Sequence, residues 1–220
     1  MAAGGAAVLA AAFVLLAIVA AGGGTQAFDE WVLGALRHAE NRGDTIGPRW
    51  LRGAALDMTA LGSAFVLGLT VFAIAGYLLL SGLRRNALFI TVASVGGWTL
   101  NWILKAVFAR ARPDIVPHLR EVVSSSFPSG HALTSAAVYL TLGFLLMRIA
   151  RGRVARAYCL AIAFLVTFLV GSSRVFLGVH DPSDVVAGWL AGMCWALLCL
   201  TVELLLERRA GLRRERAGGG

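Results

Sequence analysis

Residues 58–104 read MTALGSAFVLGLTVFAIAGYLLLSGLRRNALFITVASVGGWTLNWIL, and this stretch decides the fold. It holds two apolar runs, 58–82 and 86–104, separated by Arg84 and Arg85 with no other charge in either run. A helix needs about 20 predominantly apolar residues to cross a bilayer. Hydrocarbon offers no partner for a bare peptide group, so an apolar run of that length is read as helix. Two such runs joined by a tight basic turn predict two successive membrane helices.

Working outward, further runs stand at 6–22, 131–150, 157–173 and 183–206. The expectation is an all-α polytopic membrane protein, six transmembrane helices in a single bundle, with residues 1–220 as one membrane-embedded domain. Bulk values agree: the chain is 58% hydrophobic with a mean hydropathy of +0.76, more apolar than a soluble domain of this size tolerates. Run 6–22 is short and alanine-rich like a signal peptide, but no Lys or Arg precedes it, so a retained first helix is expected. Phe28, Trp31, Val32, Ala35 and Leu36 form one apolar stripe at helical spacing. That predicts a short helix over about 26–38, either lying at the membrane interface, with Trp31 and Trp50 at head-group depth, or packed on the bundle. The charged tail 207–220 ends in three glycines and is expected to fray.

The net charge of +8 is almost all arginine, Lys105 being the single lysine. The arginines cluster between apolar runs and not on one face, which argues against a nucleic-acid partner. Cys159, Cys194 and Cys199 lie in or beside apolar runs without metal-ligand spacing, so buried small hydrophobes are expected, with no disulfide framework. One set of loops carries Arg84, Arg85, Arg148, Arg151, Arg153, Arg156, Arg208, Arg209, Arg213, Arg214 and Arg216, eleven basic residues against Glu207 and Glu215. In the opposite loops, nine basic residues are balanced by nearly as many acids. The positive-inside rule then puts both termini in the cytoplasm of a bacterial-type cell membrane. Residues 105–130 and 174–184 would share the outer face.

Those two regions hold the unusual polar residues. Lys105 and Arg112 stand seven apart, which on a helix puts both on nearly one side, within reach of one anion; snorkelling to the interface is the plainer alternative. Ser129, Gly130 and His131 open the run at 131, where free backbone N–H groups and a missing Cβ suit an oxyanion. Ser129 is equally an ordinary N-cap. His131 at a helix N-terminus has its cationic form disfavoured until an anion binds, which would make it a proton donor. Pro182 reads as the first residue of the last helix, with Asp181 as N-cap. Asp184, one turn below His180, can accept its ring N–H, or it completes a capping box with Asp181. Arg174 is a further cation or an interfacial anchor. Each residue has a bland explanation alone. Together they place ionisable groups at membrane depth on one side, where such groups are functional suspects.

The motifs K-x6-RP (105–113), PSGH (128–131) and SR-x5-H-x3-D (173–184) resemble the three-part signature of the type 2 phosphatidic acid phosphatase superfamily. This superfamily spans membrane lipid phosphatases, soluble acid phosphatases, glucose-6-phosphatase and vanadium haloperoxidases. Outer-facing motifs between six spans look like its bacterial lipid-phosphatase branch. The resemblance implies hydrolysis of a lipid phosphomonoester or diphosphate, of the phosphatidic acid, phosphatidylglycerophosphate or undecaprenyl diphosphate class. It implies His180 as nucleophile forming a phosphohistidine, Asp184 as its orienting carboxylate and His131 as acid and then base. Lys105, Arg112, Ser129, Gly130 and Arg174 would hold the phosphate. Three cations can balance a phosphomonoester of about −1.5 to −2 charge, so neither metal nor cofactor is expected. Two alternatives differ in class. A haloperoxidase would hold vanadate at the same residues, but its known relatives are soluble. A transporter or scaffold with a degenerate site would have no need of His180 and Asp184 together.

Overall fold

A computed structural model describes residues 2–41, 43–108, 110, 116, 117 and 125–218. Among them run eight helices: α1 (Ala2–Ala21), α2 (Gln26–Ala35), α3 (Arg49–Leu61), α4 (Ala64–Leu80), α5 (Arg84–Phe108), α6 (Gly130–Ile149), α7 (Arg153–Phe176) and α8 (Pro182–Gly218). Five of them, α1, α5, α6, α7 and α8, are long and apolar enough to cross a membrane. The protein is all-α and polytopic, as its composition predicts.

The expected span 58–82 is not one helix. It breaks at Gly62 and Ser63, and α3 meets α4 at 50°, so a sixth span exists only if the bent pair is taken together. The break has local causes. Ser63 caps α4 by accepting the Val66 N–H at 3.3 Å. A Cβ at Gly62 would lie 2.4 Å from Val170 and 3.1 Å from the His131 ring, so only glycine admits both neighbours. Helix α8 includes the basic segment as far as Gly218.

Helix α6 is the axis of the bundle. Two thirds of its apolar window is buried, against 17–39% for the other four long helices. It packs on α5, α7 and α8. Its contact with α8 is unusually close, since Cβ atoms at Gly188 and Gly192 would sit 2.6 Å from Ser129 O and 2.4 Å from Leu133 O. This small-xxx-small spacing brings the two backbones together where lipid gives no hydrophobic drive for association. It also fixes the first turn of α6 beside the first turn of α8. Around the outside, Phe65, Phe72, Leu80, Trp102, Val107 and Val154 are exposed, a belt suited to acyl chains.

Helix α2 forms within the expected stretch and ends at Ala35. Its apolar stripe faces outward, with Phe28 and Trp31 exposed, while Asp29 and Leu33 on the other face are buried against the bundle. The following loop is tied down by Arg37, which is buried and donates to Phe176 O at 3.0 Å at the end of α7.

Candidate active site

Of the residues singled out in the sequence, Ser129, Gly130, His131 and Asp184 lie in or at the first turns of α6 and α8, His180 just ahead of α8, and Lys105 and Arg174 in the last turns of α5 and α7. Gly178, at φ 72°, turns the chain between α7 and α8. A side chain there would meet Arg37 Nη2 at 2.6 Å as well as adopting a strained backbone. Beyond this turn His180 is buried. Its Nδ1 lies 3.4 Å from Asp184 Oδ2 and 3.4 Å from Ser126 Oγ.

Asp184 is fully buried at the third position of α8. Its Oδ2 accepts from Ser126 Oγ and, at 3.1 Å, from the Asp181 backbone N–H. Its Oδ1 accepts from Arg110 Nη1 at 2.9 Å. The capping contact and the histidine contact therefore coexist on one carboxylate. Asp181, just ahead of the helix, is also buried. Burial and the neighbouring Asp184 charge push its carboxyl up to about 7, against the pull of Arg110.

Ser129 occupies the N-cap position of α6, yet its hydroxyl makes no capping bond. That hydroxyl is buried and has no hydrogen-bond partner among the described residues. Its backbone N–H donates to Asp184 O at 2.9 Å, a direct tie between the two helix starts. A Cβ on Gly130 would lie 3.1 Å from Asn101 Oδ1 and 3.3 Å from Lys105 Cε, so α5 closes over the opening of α6. Lys105 itself donates through Nζ to Ser125 O. His131 stands in the first turn of α6 with its ring against Gly62 at the α3–α4 break.

Arg174 is 1% exposed and donates to Thr59 Oγ1 at 2.9 Å. Burying a guanidinium costs several kcal/mol of hydration that snorkelling would avoid. It is thus an interior cation and not an interfacial anchor. Arg112 lies outside the described residues. Among the described residues α5 ends at Phe108, and Arg110 is non-helical.

Three contributors escape the sequence reading, Ser126, Arg110 and Asp29, and a fourth, Thr59, lies in the apolar run 58–82 with no role assigned to it. Arg110 and Asp29 pair across the site, and Thr59 is an uncharged residue of an apolar run that only the fold sets against Arg174. Ser126 is one of three consecutive serines, and only its position tells it apart.

What the arrangement offers is a buried imidazole oriented by a carboxylate, beside an uncapped helix start with an orphaned hydroxyl. Lys105 stands at the opening of α6, and Arg174 is buried against Thr59 in the last turn of α7. Such a cradle suits a tetrahedral or trigonal-bipyramidal oxyanion.

Known proteins resemble this chain in sequence and in the arrangement of helices. A family model described as the PAP2 superfamily matches residues 71–206. Over 146 residues the chain is 35% identical to phosphatidylglycerophosphatase B of Bacillus subtilis, covering 66% of this chain and 71% of that protein. It is 32% identical over 146 residues to lipid A 1-phosphatase of Rhizobium etli, covering 58% of this chain and 59% of the relative. A crystal structure of a transmembrane PAP2-type phosphatidylglycerolphosphate phosphatase from Bacillus subtilis superposes with a TM-score of 0.81 at 28% identity, over 90% of this chain and 95% of that one.

Proposed function

The chain belongs to the PAP2 superfamily, and from that membership we propose that it is a membrane lipid phosphatase working through a phosphohistidine on His180. The observation that carries the mechanism is the buried His180–Asp184 pair, 3.4 Å apart at Nδ1 and joined to the start of α6 by the 2.9 Å bond from Ser129 N–H to Asp184 O. With Nδ1 turned to the carboxylate, Nε2 is the attacking nitrogen. It displaces the lipid alkoxide, or a lipid phosphate in the case of a diphosphate, as the N–P bond forms and the P–O bond breaks. His131 delivers a proton to the departing oxygen, then removes one from the water that attacks the phosphohistidine. That second step releases inorganic phosphate and restores His180.

Lys105, Arg112, Arg174, the Ser129 hydroxyl and the Gly130 N–H hold the non-bridging oxygens. Positioning and charge stabilisation are most of what phosphoryl transfer requires. Fixed cations can meet that need without a metal. No group of three His, Cys, Asp or Glu among the described residues is arranged to ligate one. The test is phosphate release by purified protein from phosphatidic acid, phosphatidylglycerophosphate and a polyprenyl diphosphate, with and without excess chelator. Release from at least one lipid, unchanged by chelator and blocked by vanadate, is the expected result. Silence on the whole panel would remove the assignment. Loss in chelator that Mg²⁺ restores would remove the metal-free mechanism.

The site is further proposed to face outward, with both termini in the cytoplasm. The support is the eleven-to-two charge count, because the Arg85, Arg148, Glu203 and Glu207 ion pairs sit at the opposite helix ends from His180. A cysteine at Pro117 should react with an impermeant thiol reagent on intact cells, and one at Gly152 only after lysis. The reverse pattern would turn the protein over.

A further inference from the structure

The buried charge around His180 does not stop at Asp184. Arg110 Nη1 reaches Asp184 Oδ1 at 2.9 Å and Ser183 Oγ at 3.0 Å, while Nη2 reaches Asp181 Oδ2 at 3.1 Å and Asp29 Oδ2 at 3.4 Å. Three carboxylates from two separate segments thus converge on one guanidinium. Asp29 is 2% exposed, although it belongs to the short helix at the edge of the bundle. It accepts the Ser183 backbone N–H at 2.9 Å and the Ser183 hydroxyl at 2.7 Å. Ser183 is the second residue of α8, so Asp29 caps that helix from another element, which local sequence ordinarily does.

We infer that Arg110 and Asp29 are positioning residues that hold Asp184, and through it His180, in attacking geometry. This rests on the reading of His180 as nucleophile. The physical case is a division of labour on one carboxylate. Oδ2 already serves the Asp181 N–H, Ser126 and the imidazole, so rotation of Asp184 about its side chain would break all three. Arg110 prevents that rotation by fixing Oδ1, and Asp29 prevents the helix start beneath it from shifting. Only a planar fork with two separately aimed nitrogens reaches Asp184 on one side and Asp29 with Asp181 on the other. One arm serves the catalytic helix and the other anchors α2. The backbone of the same residue helps, since Arg110 O accepts the Ser126 N–H at 2.8 Å and so places the hydroxyl that touches both Asp184 and His180.

The experiment is a double-mutant cycle on purified, folded protein, reading kcat and KM for phosphate release from a nitrophenyl phosphate ester. Wild type and His180→Ala are run first. If wild type releases no phosphate, or His180→Ala equals it, the nucleophile reading has failed, and this inference falls with it for a separately visible reason. With those in order, Arg110→Gln is expected to lower kcat about 10²-fold, the usual effect of a small misplacement of reacting groups, with KM within about threefold of wild type. Arg110→Lys, which keeps the charge but not the fork, should recover part of the loss. In an Asp184→Asn background, Arg110→Gln should cost less than about threefold more, because its route to His180 is already cut. A partly misfolded variant would multiply the Asp184→Asn loss instead, and multiplication overturns the inference. So does a raised KM with kcat preserved, which would make Arg110 a substrate contact. Should Arg110→Gln fail to accumulate, Asp29→Asn carries the same cycle, because it keeps an oxygen for the Ser183 N–H and loses the charge facing Arg110.

Discussion

Asp184→Asn is expected to lower kcat about 10³–10⁴-fold while leaving the protein folded, the scale seen when a histidine loses its orienting carboxylate in hydrolytic triads. The loss follows from what an amide can and cannot do at this position. Oδ2 receives the Asp181 N–H at 3.1 Å, the Ser126 hydroxyl and, at 3.4 Å, the His180 Nδ1–H, so everything around it is a donor. Oδ1 faces the Arg110 guanidinium at 2.9 Å, again a donor. An asparagine must turn its NH₂ toward one of these sets. If the NH₂ replaces Oδ1, it opposes the guanidinium and the carbonyl keeps its place by the ring, but the negative charge that stabilises a cationic imidazole is gone. If it replaces Oδ2, it donates to Nδ1 and forces the ring proton onto Nε2, the nitrogen proposed to attack. Either arrangement disables the nucleophile. In the first arrangement the substitution also isolates the alternative role, since the asparagine carbonyl still accepts the Asp181 N–H and so still completes the helix cap. Activity within about tenfold of wild type would leave Asp184 as a capping residue and nothing more.

How far these roles could be read from sequence depends on whether the causes are local. Helix α8 is legible because Asp181, Pro182 and Asp184 spell a helix start, and the start lies where they place it, at Pro182. The opening of α6 is legible for the same reason. The bend between α3 and α4 is not, because Gly62 and Ser63 sit inside an unbroken apolar run, and the neighbours that demand a glycine, Val170 and His131, are remote in sequence. The part of α3 before Met58 escapes because Arg49, Arg52 and Asp57 lie outside the apolar run, whereas Ala55 and Thr59 on one face bury the helix against α7. The reading of α2 finds the stripe that faces outward and passes over Asp29, whose partners Arg110 and Ser183 stand 81 and 154 residues away. Arg110 lies five residues after Lys105, outside the spacing that selects Lys105 and Arg112. Motif residues are visible when spacing along one helix end defines them. Residues that hold the motifs in place become visible only when several elements are brought together.

The two histidines are expected to part company when the leaving group is changed, and this is the sharpest test of their assignment. His180 and His131 stand at the starts of different helices, with different surroundings. His180 is buried beside two groups that address Nδ1, while His131 is half-buried in the first turn of α6 with its ring against Gly62. If His180 forms the covalent bond to phosphorus, its loss removes the only route to the intermediate whatever departs. If His131 supplies a proton, its loss matters in proportion to how badly the departing oxygen needs one. A lipid alkoxide is a poor leaving group, and general acid catalysis contributes about 10²–10⁴-fold. A nitrophenolate leaves without that help, so most of the factor should vanish. His131→Ala should therefore be crippled toward phosphatidic acid yet keep far more of its relative rate toward a nitrophenyl phosphate ester, whereas His180→Ala should be inactive toward both. Because His131 is also assigned the activation of water in the second step, turnover mixes two effects. The pre-steady-state burst of nitrophenolate separates them, since it reports formation of the phosphohistidine alone. His131→Ala is expected to show that burst followed by slow turnover, and His180→Ala to show none. Equal losses for the two variants on both substrates within the burst phase would mean that the division of labour between the two helix starts is wrong.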